Sequence, residues 1–311
     1  MTLRLGINPL TWSNDDLPAL GAENSLEMCL TEARAAGYAG VELGNKFPRQ
    51  AAKLRPILQA HGLALVSGWY SGRLLERDAE AEWTAMRAHF ELLQALDCKV
   101  MVFAEVSRCT HGDQLAPISQ RPCLPKGEWP RFAQRLNALA ERMQREGLRM
   151  AYHHHMGTVV QSAEDIDQLM TNTGDAVGLL LDTGHLTYAG GDPVQAAARY
   201  AQRIVHVHCK DVRRDVLERC RNRDSSFLNA VLEGVFTVPG DGMVDYRSVL
   251  EPIARSGYRS WLVVEAEQDP AVAPPLQYAQ LGFRNLSALA GELFSTASLP
   301  ATPGPPSTKR I

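Results

Sequence analysis

Residues 177–211 read VGLLLDTGHLTYAGGDPVQAAARYAQRIVHVHCKD, and the apolar runs at the two ends of this stretch decide the fold class. Each run, VGLLLDTGH and IVHVHCKD, is rich in aliphatic or β-branched residues, is too short for a helix and finishes in polar residues. Both are therefore predicted to be buried strands. Six further runs of the same kind bring the candidate strands to eight: 3–8, 40–44, 63–69, 99–106, 148–155 and 261–267.

The stretches between these runs have the spacing of amphipathic helices. In residues 25–37, apolar side chains recur on one helical face and Gly37 supplies the stop signal. Residues 79–97 and 127–147 show the same pattern. Buried strands that alternate with helices predict a parallel sheet covered on its outer face, and eight such units close most naturally into a (β/α)8 TIM barrel.

An open, doubly wound sheet is the alternative α/β fold, but it would place phosphate-binding glycines after the first strand. That strand leads instead into NPLTWSNDD (residues 8–16), which contains neither GxGxxG nor GxxxxGK[ST]. The barrel is therefore the favoured prediction.

We predict a single barrel domain over residues 1–294 and a disordered tail, rich in Pro, Ser and Thr, over residues 295–311. Two segments exceed the minimal barrel: a loop at 107–127 and a polar, helical insert at 212–236. Because both follow strands, we expect them to cover the end of the barrel where active sites lie.

The composition excludes several classes of protein. Of the 311 residues, 45% are hydrophobic and 22% are charged, which is typical of a soluble globular protein. The formal net charge of −3 leaves no basic surplus for a nucleic-acid partner. The six scattered cysteines form no CxxC pair, and neither a membrane span nor a secretory signal is evident, so a cytoplasmic protein without a membrane partner is expected.

Polar residues gather at the ends of the last four predicted strands. Side chains alternate along a strand, so residues two apart share a face. If the residue at each strand end faces the barrel axis, then His153, Asp182, His208 and Glu265 converge from four consecutive strands. Two imidazoles and two carboxylates suit a divalent transition metal such as Mn, Co, Fe or Zn better than Ca or Mg, which prefer oxygen ligands alone.

These residues also have purely structural interpretations. Asp182 and Glu265 could form salt bridges within the barrel, although their positions at the ends of apolar strands argue against this. His206 lies one layer deeper than His208 and is expected to be a hydrogen-bonded interior histidine.

At these residues the chain resembles the xylose-isomerase-like TIM barrels and, within them, the inosose dehydratase family, over residues 3 to about 290. The resemblance implies a metal-dependent enzyme of inositol catabolism that removes water from 2-keto-myo-inositol (scyllo-inosose) to give a trihydroxycyclohexane-1,2-dione. The motifs that carry it are GINPLTWSNDDLP (6–18), HHHMGT (153–158), LLLDTGHLTYAGGDP (179–193), HVHCKD (206–211), GVFTVPGDGMVDY (234–246) and WLVVEAEQDP (261–270).

The resemblance also implies a ligand set. The superfamily holds its metal with Glu, Asp, His and Glu from four consecutive strands, and Asp182, His208 and Glu265 match the last three. His153 occupies the first Glu position, and its coordination would leave two ligand carboxylates to balance a divalent ion. Mn or Co is the expected ion. The family is associated with glutathione as well, but no residue of this chain suggests a site for it.

The implied chemistry is abstraction of the hydrogen beside the ketone, followed by loss of the β-hydroxyl, and it needs a positioned acid or base. We nominate His155, which shares a strand face with His153, and keep Lys210 and Glu267 as rivals. Other residues near strand ends are candidate contacts for the substrate ring and its hydroxyls: Asn8, Trp12, Glu42, Trp69, Tyr70, Glu105 and His185.

A metal-dependent isomerase or epimerase of keto-sugars or inososes is the nearest alternative, because it would use the same metal and the same enediolate. Its usual Glu stands where this chain has His153, which favours elimination. An endonuclease on this barrel would need a basic groove, and the net charge argues against one. The sequence leaves open a barrel that only binds a polyol or a metal, and also whether the barrels form a homo-oligomer.

Overall fold

The computed structural model describes residues 3–295, and eight parallel strands close into a barrel. All eight strands predicted from the sequence are confirmed, and so is the TIM-barrel fold. Neighbours around the barrel follow the order of the chain, and the last strand pairs with the first. The barrel strands are β1 (Arg4–Ile7), β2 (Gly40–Leu43), β3 (Ala64–Gly72), β4 (Val100–Glu105), β5 (Arg149–His153), β6 (Val177–Asp182), β7 (Ile204–Cys209) and β10 (Trp261–Val264).

Helices connect the strands and cover the outside of the barrel. The first of them begins where the Ser25 side chain accepts a hydrogen bond from the Met28 amide, and it ends at Gly37, whose φ of 111° suits glycine. The helices are α1 (Leu26–Ala36), α2 (Ala51–Ala60), α3 (Ala79–Ala95), α4 (Trp129–Arg145), α5 (Ala163–Asn172), α6 (Thr183–Tyr188), α7 (Pro193–Tyr200), α8 (Arg214–Asn222), α9 (Phe227–Leu232), α10 (Tyr246–Arg255) and α11 (Pro275–Ser295).

The proposed division into a barrel domain and a tail stays a prediction, because residues 296–311 of the predicted tail lie outside the described residues. Ser295 itself is the last residue of α11. Among the helices that the structure describes, none is long and apolar enough to cross a membrane.

The end of the barrel where the strands begin is filled with apolar side chains. Val66, Trp261 and Val263 pack together there. Gly6 and Gly40 leave the space that these side chains occupy, since a Cβ on Gly40 would lie 2.8 Å from both Trp261 Cη2 and Val66 Cγ2. This end is therefore a solid core, and polar chemistry is confined to the opposite end.

The predicted insert covers that opposite end. Two short antiparallel strands, β8 (Asp211–Val212) and β9 (Phe236–Thr237), enclose α8 and α9. Apolar side chains of the insert pack on Met156, in the loop after β5, and on Tyr188, at the end of α6. The 107–127 loop joins it through a bridge between Pro117 and Ser226. Both extra segments thus lie over the C-terminal ends of the strands, as the sequence predicted.

The glycine at position 40 tests this account of the barrel core. We expect Gly40→Ala to lower the free energy of unfolding by about 2 kcal/mol, because the added methyl overpacks a closed interior. Urea unfolding followed by circular dichroism measures this. Gly127→Ala is the matched control, since no atom lies within 4 Å of its added Cβ. Equal midpoints for the two variants would contradict the packing argument.

Candidate metal centre and active site

Four consecutive strands of the barrel bring His153, Asp182, His208 and Glu265 together. His153 and Asp182 are the last residues of β5 and β6, His208 is the last but one of β7, and Glu265 directly follows β10. Asp182 pairs in register with His208, and His208 with Val263, so alternation turns these strand ends toward the same interior position.

The potential ligand atoms of these four residues all lie within 4.8 Å of one another, and all four side chains are buried. His153 Nε2 is 3.4 Å from Asp182 Oδ2. His208 Nδ1 is 3.5 Å from the same oxygen and 2.8 Å from Glu265 Oε2. The second carboxylate oxygen, Asp182 Oδ1, accepts the backbone N–H of His185 at 2.7 Å, which holds the side chain at the start of α6.

The arrangement fits a metal cation. Asp182 Oδ2 and His208 Nδ1 are buried and make no hydrogen bond of acceptable geometry, although other polar atoms lie close by. Buried polar atoms are normally satisfied, so two such atoms facing one point indicate a missing partner. Two nitrogens and two carboxylates are a suitable donor set for a divalent transition ion.

Negative charge dominates this end of the barrel. Glu42 and Glu267 are buried next to the four converging residues. Together with Asp182 and Glu265, they place four buried carboxyl groups at this end of the barrel. Burial alone would raise the pKa of Glu265, but the charges of His208 and Lys210 outweigh it and lower this pKa to about 2. Burial likewise opposes ionisation of Glu42, yet His208 and His206 lower its pKa well below the ordinary value.

Lys210 is the buried cation that offsets part of this charge. Its Nζ lies 2.6 Å from Glu265 Oε1, 2.5 Å from Glu267 Oε1 and 2.9 Å from His185 Nε2. Burial would lower the pKa of Lys210, but the carboxylates of Glu265, Glu267 and Asp182 raise it, so the side chain is an ammonium ion. Burial would also lower the pKa of His208, but the surrounding carboxylates raise it, so this ring and Lys210 together carry at most two positive charges, and the negative charge that remains favours a metal cation.

His155 and His185 stand next to the proposed ligands, with ring centroids 3.8 Å apart. Burial lowers the pKa of both residues well below the ordinary value, and for His185 the charge of Lys210 lowers it further, so both rings are neutral. His155 Nδ1 lies 2.8 Å from the carbonyl oxygen of Met156. A carbonyl only accepts, so Nδ1 carries the hydrogen and Nε2 keeps a lone pair.

A cavity of about 130 Å³ opens over the site, and His155 and Glu267 line it together with three of the four converging residues. Trp69 forms one wall, with its ring centroid 5.3 Å from that of His153. The arrangement therefore places an apolar ring, a neutral imidazole and a carboxylate around one small space next to the proposed metal position. Such a space suits a small polar ring with both C–H and hydroxyl faces.

Residues 30–289 match the model of a protein family described as Xylose isomerase-like TIM barrel. The chain belongs to this family. Rhizopine catabolism protein MocC of Rhizobium meliloti is 54% identical over 290 residues, which cover 93% of this chain and 89% of that protein. Inosose dehydratase of Geobacillus thermodenitrificans (strain NG80-2) is 42% identical over 279 residues, covering 89% of this chain and 94% of that protein.

Among solved structures, an L-ribulose 3-epimerase is similar with a TM-score of 0.63 and 16% identity, covering 98% of this chain and 100% of that chain, which shows the shared fold. The resemblance inferred from the motifs is confirmed, because curated relatives carry the name inosose dehydratase at 40–42% identity. Enzymes of that name are hydro-lyases.

In this xylose isomerase-like barrel, some of the predicted substrate contacts lie at the cavity. Asn8, Glu42 and Trp69 line it. His185 and Lys210 lie directly behind the lining, where each contacts Glu267. The structure therefore brings the predicted ligands, the predicted proton-transfer residues and these contacts into one site.

Three other predicted contacts, Trp12, Tyr70 and Glu105, face away from the cavity. Trp12 is buried outside the barrel and donates to Glu32 at 2.6 Å. Tyr70 follows Trp69 directly, so alternation turns it outward, where its hydroxyl donates to Glu82 at 2.6 Å. Glu105 is turned outward after Ala104, and it accepts the backbone N–H groups of residues 74 and 107. These side chains hold loops and helices in place.

Sequence reasoning missed four polar residues that line the cavity: Asp15, Asp16, Ser71 and His111. Asp15 and Asp16 follow the short helical turn after β1, and both residues are exposed. His111 belongs to the 107–127 loop, and its ring centroid lies 5.1 Å from that of His155. The polar loop after the first strand and the length of the 107–127 loop were the signals available in the sequence.

The charge balance around Lys210 predicts a measurable cost. In metal-free protein, Lys210→Met should lower the free energy of unfolding by about 3 kcal/mol, because it leaves Glu265 and Glu267 buried without their cation. The double variant Lys210→Met/Glu267→Gln should recover part of this loss. Urea unfolding in the presence of a chelator measures both values.

Lys53→Met, on the exposed surface of α2, is the matched control and should change stability by less than about 0.5 kcal/mol. A Lys210→Met variant as stable as this control, or a double variant less stable than the single one, would contradict the assignment.

Proposed function

We propose that the protein is a metal-dependent hydro-lyase of inositol catabolism that removes water from 2-keto-myo-inositol (scyllo-inosose) to form a trihydroxycyclohexane-1,2-dione. Curated relatives named inosose dehydratase, matched over 89–93% of this chain, support the reaction class and substrate. The observation that carries the proposal is the buried set of His153, Asp182, His208 and Glu265 next to the neutral ring of His155.

The proposed metal ligands are His153 Nε2, Asp182 Oδ2, His208 Nδ1 and a carboxylate oxygen of Glu265. When bound, a divalent ion such as Mn or Co would act as a Lewis acid toward the ketone and stabilise negative charge on its oxygen. Two histidines and two carboxylates leave a divalent ion electrically balanced, so its pull on the ketone is not quenched by a third ligand carboxylate.

Within this site we assign the abstraction of the α-hydrogen to His155. Its Nε2 has the free lone pair, and its ring lies against the cavity beside Trp69, with ring centroids 5.4 Å apart. In this step the C–H bond breaks, its proton moves to Nε2, and its electron pair forms the enolate. The hydrogen bond from Nδ1 to the Met156 carbonyl keeps the ring in the tautomer that can accept this proton.

The departing β-hydroxyl needs a proton, and we assign its delivery to Glu267. Glu267 lines the cavity, and burial raises its pKa, whereas the pKa values of Glu42 and Glu265 are lowered, so Glu267 takes up a proton more readily than these two. A ring nitrogen of His155 and a carboxylate oxygen of Glu267 lie within 4.8 Å of each other. The enolate electron pair then expels the hydroxyl as water, and Lys210 stabilises the carboxylate that remains.

Positioning of the ring follows from the other lining residues. The face of Trp69 suits the C–H side of a cyclohexane ring. The side chains of Asp15, Asp16 and Ser71 at the mouth offer acceptors and a hydroxyl for the substrate hydroxyls. An isomerase or epimerase of inososes would use the same groups. The names of the relatives favour elimination.

Removal of the metal tests the reaction. Dione formation from 2-keto-myo-inositol is measured by ultraviolet absorbance. Protein treated with a chelator should no longer form the dione, and added Mn or Co should restore its formation. Asp182→Asn should contain no metal by elemental analysis and should be inactive. The substitution replaces a carboxylate ligand by a weaker amide oxygen and removes one of the negative charges that would balance the ion. Asp175→Asn, on a side chain that is 98% exposed, is the control and should behave as wild type.

Full activity of the chelated protein would contradict the metal dependence. Metal-dependent interconversion of inososes without dione would move the protein to the isomerase alternative.

The role of His155 predicts a separation between metal binding and turnover. His155→Gln should lower kcat by about 100-fold or more while metal content stays at the wild-type level, because the base is lost but the ligands remain. His61→Gln is a matched control, since His61 Nδ1 likewise contacts a backbone carbonyl, that of Ile57, at 3.0 Å. Wild-type turnover by His155→Gln would show that another group moves the proton.

A further inference from the structure

Glu42 is the most completely hydrogen-bonded carboxylate of the site. Its Oε1 accepts from Ser67 Oγ at 2.5 Å, from His206 Nε2 at 2.8 Å and from His208 Nε2 at 3.1 Å. Its Oε2 accepts from Asn8 Nδ2 at 2.6 Å. The side chain is buried. Four protein donors thus hold this carboxylate in place, and its contact with substrate hydroxyls stays a prediction.

These contacts determine which nitrogen of His208 carries a hydrogen. An ionised carboxylate only accepts, so His208 Nε2 must be the donor in its contact with Glu42. An imidazole that binds a metal is neutral and has one N–H, so in the metal-loaded protein the lone pair lies on Nδ1. That nitrogen lies 2.8 Å from Glu265 Oε2 and 3.5 Å from Asp182 Oδ2, and it has no hydrogen-bond partner of acceptable geometry. The lone pair therefore faces the point where the carboxylates converge.

His206 supports the same arrangement from below. It donates to the oxygen that also accepts from His208, and its ring centroid lies 5.3 Å from that of His208. Asn8 donates not only to Glu42 but also to Glu265 Oε2 at 2.9 Å. Glu42 belongs to β2, and its carboxylate accepts hydrogen bonds from residues of β3 and β7 and from the residue after β1. The ring of His208, which donates to this carboxylate, is therefore held by four parts of the barrel.

We propose that Glu42 is a positioning residue that orients His208 and fixes its tautomer, so that Nδ1 is the nitrogen that binds the metal. Carboxylates that accept the distal N–H of a ligand histidine raise its basicity and hold the ring in place. This inference rests on the proposed metal site, but it does not depend on the identity of the substrate.

Metal affinity measured without substrate tests the proposal. Glu42→Gln should weaken the binding of Zn or Co by about 10- to 100-fold in calorimetric titration, which is the usual effect of losing such a partner. The visible spectrum of the Co-loaded variant should also differ from that of wild type, because the ligand ring is no longer fixed.

Glu105→Gln is the matched control. Glu105 is also a buried carboxylate at the end of a barrel strand, but it accepts backbone N–H groups outside the cavity. It should keep wild-type affinity and a wild-type Co spectrum. Equal affinities and spectra for Glu42→Gln and wild type would overturn the inference while leaving the metal site standing. If wild type binds no metal, the metal site and this inference both fail.

A measurement on wild-type protein covers the case in which Glu42→Gln does not fold. In Zn-loaded protein labelled with 15N-histidine, NMR should show His208 with a protonated Nε2 and a metal-bound Nδ1. A metal-bound Nε2 would overturn the inference directly.

Discussion

Four carboxylates buried at one end of the barrel are the constraint on which the rest of the site depends. Glu42, Asp182, Glu265 and Glu267 lie where water is excluded, and a buried charge is costly unless it is paired. Lys210 offsets part of the charge, and hydrogen bonds from His206, His208 and Asn8 stabilise Glu42. A divalent cation would balance the remaining negative charge and would bind Asp182 Oδ2 and His208 Nδ1, which have no hydrogen-bond partner.

The barrel makes this concentration of charge possible by dividing its interior into two parts. The end where the strands begin is packed around Trp261, Val66 and Val263, with glycines where no side chain fits. The opposite end receives polar residues from successive strands, and the insert covers it with Phe227 and Phe236, whose rings contact His185. The apolar cover excludes water, which strengthens every electrostatic interaction beneath it.

Much of this could be predicted from the sequence, because strand alternation and apolar run length are local properties. The eight strands and the convergence of Asp182 and His208 follow directly from them. Alternation fails where the register shifts. The pairing register of β2 with β3 shifts between Val41 and Leu43, and that of β6 with β7 shifts between Leu179 and Leu180. At each shift, two consecutive residues of β3 or of β7 can both face the barrel interior. Cavity residues in loops, such as His111, depend on tertiary contacts that no local pattern contains.

His153 stands where the resemblance to the xylose isomerase-like barrels implies a Glu ligand, so its role separates this proposed site from that pattern. Anomalous diffraction from a crystal containing Mn tests the central claim most directly. The account predicts one ion bonded to His153 Nε2, Asp182 Oδ2, His208 Nδ1 and Glu265. An ion bound elsewhere, or one held without His153, would contradict it.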